Sequence, residues 1–177
     1  MLLFVDTEWA DAQARDLVSL ALVSEDGRFE FYAERDPLPS SPTEFVRGVV
    51  YPLLSRGERA LPDEAFTREL RAFFERIVAA SRRAKVLIAY DFKADIHLLD
   101  YVLDGFTSRD SPTGLLFDVF DLTVLGGEYA LRVDEIFEQR PDLRARRHHA
   151  LIDAWVNRDA YLLVCKPATD LDHVPAR

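Results

Sequence analysis

The sequence predicts an α/β fold, a mixed five-stranded sheet whose first three strands are antiparallel, flanked by helices. Three strand-like stretches come first, at Leu2–Val5, Leu17–Val23 and Phe29–Ala33, with turn-forming residues between them. Helical and strand patterns then alternate along the remainder, which suits a mixed sheet better than a fully parallel one. A length of 177 residues, 49% of them hydrophobic, matches one domain able to bury a sheet-and-helix core.

Leu2, Leu3, Phe4 and Val5 form a continuous apolar run, as in a strand buried on both faces, and Asp6 and Glu8 follow at its end. Side chains two apart on a strand point the same way, so both carboxylates would project from one sheet edge into one small volume. Two anions held that close repel each other unless a cation sits between them. The pair therefore reads either as a metal-binding arm or as solvated residues in a turn. Leu17–Val23 suits a buried second strand, Glu25-Asp26-Gly27 supplies a turn, and Phe29, Phe31 and Ala33 alternate with Glu30, Tyr32 and Glu34.

Pro37, Pro39 and Pro42 interrupt the strand pattern. Ser41 as N-cap, Pro42 at the first helical position and Glu44 three after Ser41 make a capping-box start for a short helix to about Leu54. In the strongest helix, Phe66, Leu70, Phe73, Phe74, Ile77 and Val78 share one face, with Arg68, Glu69, Arg71, Glu75 and Arg76 opposite. Val86–Tyr90 reads as a fourth strand, Ala94–Leu103 as a helix, Gly105–Gly114 as a loop, and Leu115–Phe120 as the fifth strand. Glu128–Gln139 is a further helix, and Gly126-Gly127 reads as a turn, not a phosphate-cradling loop. The last helix runs from about Ala150 to Val164 and carries apolar Leu151, Ala154, Trp155, Leu162 and Leu163. The domain is taken as 1–166, and 167–177 as a C-terminal tail.

Lys and Arg number 22 against 31 Asp and Glu, a net charge of -9. That balance excludes binding DNA through charge alone, but not a nucleic-acid enzyme whose site is neutralised by divalent metal. A single cysteine, Cys165 beside Leu163 and Val164, rules out a disulfide framework and reads as a packed thiol. With neither a basic leader nor a long apolar stretch, no membrane association is expected and a cytoplasmic protein is the default.

Three later stretches carry further acids. IAYDFKADIHLL, Ile88 to Leu99, is a strand running into a helix, with Asp91 at the junction and Asp95 one turn in. FDLT, Phe120 to Thr123, places Asp121 just past the fifth strand. HHALIDA, His148 to Ala154, sets a histidine pair ahead of a helix whose first turn holds Asp153. His149 and Asp153, four apart, would share a helix face, whereas His148 would reach the same place only from the preceding loop. From spacing alone either histidine fits.

Together these stretches resemble the DEDD superfamily of 3′-5′ exonucleases, histidine branch, over the whole chain up to Val164. Asp6 and Glu8 match its Asp-x-Glu motif, and Asp95 with Leu98-Leu99 matches its second motif. His148, Ala150 and Asp153 match His-x-Ala-x-x-Asp. Two departures stand out: Asp91 occupies a position usually held by Asn, and Ala94 replaces the usual aromatic. Asp95 is the preferred ligand by its distance from the strand end, with Asp91 second. The resemblance implies a ribonuclease-H-like fold and a site in which Asp6, Glu8, Asp95 and Asp153 hold two divalent ions, Mg²⁺ or Mn²⁺. It also selects His148 as general base.

Hard cations prefer such oxygen ligands, and two of them both generate a nucleophile and stabilise the leaving oxygen in phosphodiester hydrolysis. A histidine with an unperturbed pKa of ~6.5 can accept the proton of water near neutral pH. Trp9 is a candidate for stacking on a terminal base, and Arg147, with Arg144 and Arg146, for holding the backbone. The resemblance is nearest to the small exoribonucleases of the oligoribonuclease, RNase T and RNase AS type, which act on RNA 3′ ends and are typically homodimers. It implies a metal-dependent exoribonuclease releasing nucleoside 5′-monophosphates. A single-stranded DNA exonuclease with the same site and a catalytically silent nucleic-acid-binding module are the alternatives.

Overall fold

The computed structural model describes residues 1–81, 85–107 and 117–165. Three strands, β1 (Leu2–Trp9), β2 (Leu17–Ser24) and β3 (Glu30–Arg35), form an antiparallel meander. The turn joining β2 to β3 needs Gly27, whose φ is +71° and whose missing Cβ leaves room for the Trp155 ring. A two-residue strand, β4 (Ala60–Leu61), pairs parallel with β3 at one edge. On the other side β5 (Leu87–Tyr90) pairs parallel with β1, and β6 (Asp118–Asp121) pairs parallel with β5. The sheet order is β4-β3-β2-β1-β5-β6. The expected five strands thus become six, because a two-residue edge strand is too short to show any periodicity.

Both faces of β1 are covered. Leu3 and Val5 pack with α1 (Asp63–Ala80) and α2 (Lys93–Leu103), while Leu2 and Phe4 pack on the side of α3 (Gly126–Gln139) and α5 (Ala150–Cys165). A strand between two helical layers has no solvated face, hence its unbroken apolar run. A short helix, α4 (Pro141–Arg144), links α3 to the loop before α5.

Several local expectations are corrected. Asp6 and Glu8 lie within β1 and not beyond it, since pairing with β2 continues to Trp9. The helix after the prolines is capped by Thr43, whose Oγ1 accepts from the Val46 amide at 3.3 Å, in place of Ser41. It continues as a π-helical turn, Val46–Val50, and a 3₁₀ turn, Tyr51–Leu53. Gly126-Gly127 opens α3, with Gly126 at a φ of +72°, and is not a free turn.

On α1, Val78 is exposed and Thr67 is buried instead, its hydroxyl donating to the Val102 carbonyl at 2.9 Å. On α5, Ala150, Ala154, Asn157 and Ala160 are buried three or four apart, and the three alanines in the β1–β2 cluster bring the helix close to the sheet, while Ile152 and Val156 are buried with Phe137 of α3. Leu163 is exposed, and so is Cys165, contrary to its reading as a packed thiol. Most of the expected loop 105–114, Leu115, Leu116 and the tail 167–177 fall outside the described residues. Among the described residues no helix is long and apolar enough to cross a membrane.

Candidate metal centre

Pairing between β1 and β5 runs from Leu2 opposite Leu87 to Phe4 opposite Ala89 and then stops. Past that point the edge of β1 is open, and the first turn of α2 swings in to fill it. The Asp95 Oδ1 accepts from the Thr7 backbone amide at 3.1 Å and from the Thr7 hydroxyl at 2.7 Å. Thr7, the residue between the two β1 acids, thus fixes the carboxylate that comes from the far side of the sheet. Asp6 and Glu8 alternate with it and lie on the face of Phe4, toward α5.

Asp91 follows β5 directly, and an oxygen from each of Asp6, Asp91 and Asp95 falls within one 4.8 Å set. A second such set joins Glu8, Asp153 and a ring nitrogen of His148. Both Asp91 and Asp95 thus bring an oxygen close to Asp6. His148 sits in the loop before α5 at a φ of +74°, and its amide donates to the Asp153 Oδ2 at 2.9 Å. The left-handed turn lets a residue five before Asp153 face the same cleft, which an unbroken helix would prevent.

His149 goes the other way. It is buried against the Tyr32 ring at 4.6 Å between centroids, and neither ring nitrogen has a hydrogen-bond partner among the described residues. The helix-face argument for His149 fails because His149 precedes α5, which begins at Ala150, and its ring turns onto Tyr32 of β3 while Asp153 faces the cleft. Asp121 caps the Leu122–Leu125 turn through Thr123 and stands outside both sets.

The electrostatics of the cluster are uncompensated. Oxygens of Asp6, Asp95 and Asp153 are buried without a hydrogen-bond partner, and none of the five acids forms an ion pair with a described residue. Burial, then repulsion from Asp153 and Asp95, pushes Glu8 up to about 9. Burial also lifts Asp95 to about 8 against the opposing Thr7 bonds, and Asp153 to about 7 against the His148 amide and Arg147. Asp6 is held well above the usual carboxylate range by burial and by Asp153, Asp95, Glu8 and Asp91 in turn. Burial raises Asp91 as well. His148 is shifted the opposite way, below the usual histidine value, by burial and by the Arg147 charge.

Five clustered carboxylates, three of them with an orphaned buried oxygen, require either shared protons or cations. The donor set is all oxygen with one imidazole at its rim, which fits Mg²⁺ or Mn²⁺ and not a thiophilic metal.

A cleft of about 500 Å³ opens over the cluster. Trp9 forms part of its wall, its ring stacked on Phe92 at 5.4 Å and 20°, and Phe92 is 56% exposed. Opposite, the half-exposed Phe45 ring meets His148 edge-on at 5.0 Å. Arg147 also lines the cleft, over the Phe137 ring at 4.9 Å and 3.5 Å from an Asp134 oxygen, whereas Arg144 and Arg146 do not line it.

Sequence reasoning missed Thr7, Phe45, Phe92 and Asn157, all of which line the cleft. Asn157, one turn after Asp153 on α5, accepts from the Tyr129 hydroxyl at 2.9 Å, and that i+4 spacing was the available signal. Comparison with protein-family models and with curated proteins finds no match to this chain.

Proposed function

We propose that the protein is a metal-dependent 3′-5′ exoribonuclease that hydrolyses single-stranded RNA ends to nucleoside 5′-monophosphates. The observation that carries this reading is the convergence of Asp6, Glu8, Asp95 and Asp153, with Asp91 beside them, as mutually repelling carboxylates, Asp95 buried and the others half-buried, lining an open cleft. The order β3-β2-β1-β5-β6, with acids in the second half of β1 and just past β5, supports a ribonuclease-H-like arrangement. The direction of attack and the preference for RNA rest on the motif resemblance.

Asp6, Glu8, Asp95 and Asp153 would hold two divalent ions, with Asp91 a further oxygen donor. Such ions supply nucleophile activation and charge stabilisation on the phosphate. His148 takes the proton from the attacking water. Its lowered pKa keeps the imidazole neutral, and so able to accept a proton, at pH 7. Thr7 holds Asp95 in place, and the His148 backbone amide does the same for Asp153. Trp9, Phe92 and Phe45 offer ring faces and edges for unstacked bases, and Arg147 offers a cation to the strand.

The test is shortening of 5′-labelled single-stranded RNA and DNA with Mn²⁺ or Mg²⁺, beside an EDTA control and Asp6→Ala. Metal-dependent stepwise shortening of RNA that Asp6→Ala abolishes is the expected outcome. Shortening of DNA alone replaces RNA by DNA as the substrate. No shortening of either polymer with either metal refutes the enzyme.

A further inference from the structure

On the far side of the stacked Trp9 and Phe92 rings lies a second groove of about 470 Å³, sharing Trp9, Ala12 and Phe92 with the cleft over the carboxylates. Arg15, Lys93 and His97 line it, and all three are exposed. Lys93 and His97 stand one turn apart on α2, and Arg15 comes from the β1–β2 connection, whose turn is held by Asp11 accepting the Arg15 and Asp16 amides at 2.8 and 2.9 Å. No hydrogen bond or ion pair engages the side chains of Arg15, Lys93 or His97 among the described residues.

Arg35, Arg56, Arg140 and Arg158 are each paired with a carboxylate, whereas Arg15 and Lys93 stand together on one groove wall with no such partner among the described residues. Unpaired cations beside the exposed Phe92 ring and the half-buried Trp9 ring suit a polyanion whose flat groups can stack, which is the chemistry of a single-stranded polynucleotide. A small phosphate ester would occupy the first cleft alone and leave these cations unused.

Resting on the nuclease reading of the neighbouring site, we propose that this groove binds the strand upstream of the scissile phosphate, with Arg15 and Lys93 on successive phosphates. The substrate is then a single-stranded polynucleotide of several nucleotides, in preference to a dinucleotide or a small ester. The ring pair Trp9–Phe92 forms the ridge the strand crosses between the two grooves.

Fluorescence anisotropy with 3-mer and 10-mer oligonucleotides tests this, in Mg²⁺ and with a terminal phosphorothioate to slow hydrolysis. RNA or DNA is used, whichever the wild type binds more tightly. The wild type is expected to bind the 10-mer about tenfold more tightly than the 3-mer, with an affinity that falls with salt. Arg15→Ala/Lys93→Ala should shrink that length advantage to about twofold and reduce the 10-mer salt slope by about 1.4, from ~0.7 per cation on a single strand. Arg68→Ala, on the outer face of α1, should change neither quantity.

Equal melting curves verify the fold of the double variant. Should it unfold, Lys93→Gln alone carries the test, with a slope reduction of about 0.7. A wild type that binds both lengths equally, or a double variant that keeps the 10-mer affinity and slope, overturns the proposal. Hydrolysis is scored separately with unmodified strands. Shortening without a groove effect leaves the nuclease reading standing and this inference refuted. A groove effect without shortening under either metal does the reverse.

Discussion

Replacing Asp95 by Asn isolates the electrostatic cost of the cluster. Asp95 is 1% exposed, with one oxygen held by Thr7 and the other without a partner, and burial together with Asp91 lifts it to about 8. In metal-free protein at pH 5 to 7 the native state therefore retains a proton on this group that the unfolded chain, with a carboxyl near ~3.9, has released. The native state binds more protons, so stability falls as pH rises across that window, the reverse of an ordinary salt-bridged aspartate.

One retained proton corresponds to about 1.4 kcal/mol per pH unit, or about 2.7 kcal/mol between pH 5 and pH 7. Asparagine keeps an oxygen for Thr7 and carries no charge, so it removes this dependence. At 2–4 °C per kcal/mol for a chain of this size, the Asp95→Asn melting temperature should gain about 5–11 °C on the wild type over those two units. Thermal melts in EDTA at pH 5, 6 and 7 measure it. A wild-type stability that rises over this range, or an unchanged difference between the two proteins, refutes the reasoning.

Other expectations follow from the same geometry. Mn²⁺ at a hundredfold excess over its dissociation constant should stabilise the wild type by about 2.7 kcal/mol, by mass action on the native state. Calorimetry should show the gain growing from pH 6 to pH 8, as metal displaces protons, and vanishing in Asp6→Asn. His148→Ala should lower kcat by about 10²–10⁴-fold in a steady-state RNA assay. Arg147→Ala removes a cation that depresses His148, so the acid limb of the pH–rate profile should move to higher pH. His149→Ala should instead lower the melting temperature and leave that limb in place, since its ring packs on Tyr32. Phe92→Ala should weaken single-strand binding by about 1–3 kcal/mol in a titration, the usual cost of losing one stacking ring.

How much of this was legible depended on whether a residue's role lay in its own stretch of chain. The run Leu2–Val5 announced a strand buried on both faces because helices cover both of them. The same alternation brought Asp6 and Glu8 to one side. The motif resemblance selected Asp95, Asp153 and His148, and the structure brings all three to the cleft. Spacing alone could not separate His148 from His149, because the decision lies in one left-handed backbone turn at His148.

Thr7 was invisible as the anchor of Asp95, since that bond depends on where β5 stops pairing with β1. Phe45 and Phe92 reach the cleft from the turn after the prolines and from the start of α2, and no local pattern aims them there. Strand β4 has two residues, too few to alternate. Ser41 looked like a helix cap by composition, but Thr43 stands where the backbone first turns helical.

The central claim is that the clustered carboxylates are a metal centre. Its most direct test is a Mn²⁺ titration at neutral pH followed by electron paramagnetic resonance, comparing the wild type with Asp6→Asn/Asp153→Asn. The account predicts bound Mn²⁺ in the wild type and its loss in the double variant, with both proteins folded. Mn²⁺ binding that is absent from the wild type, or equal in the two proteins, would contradict it.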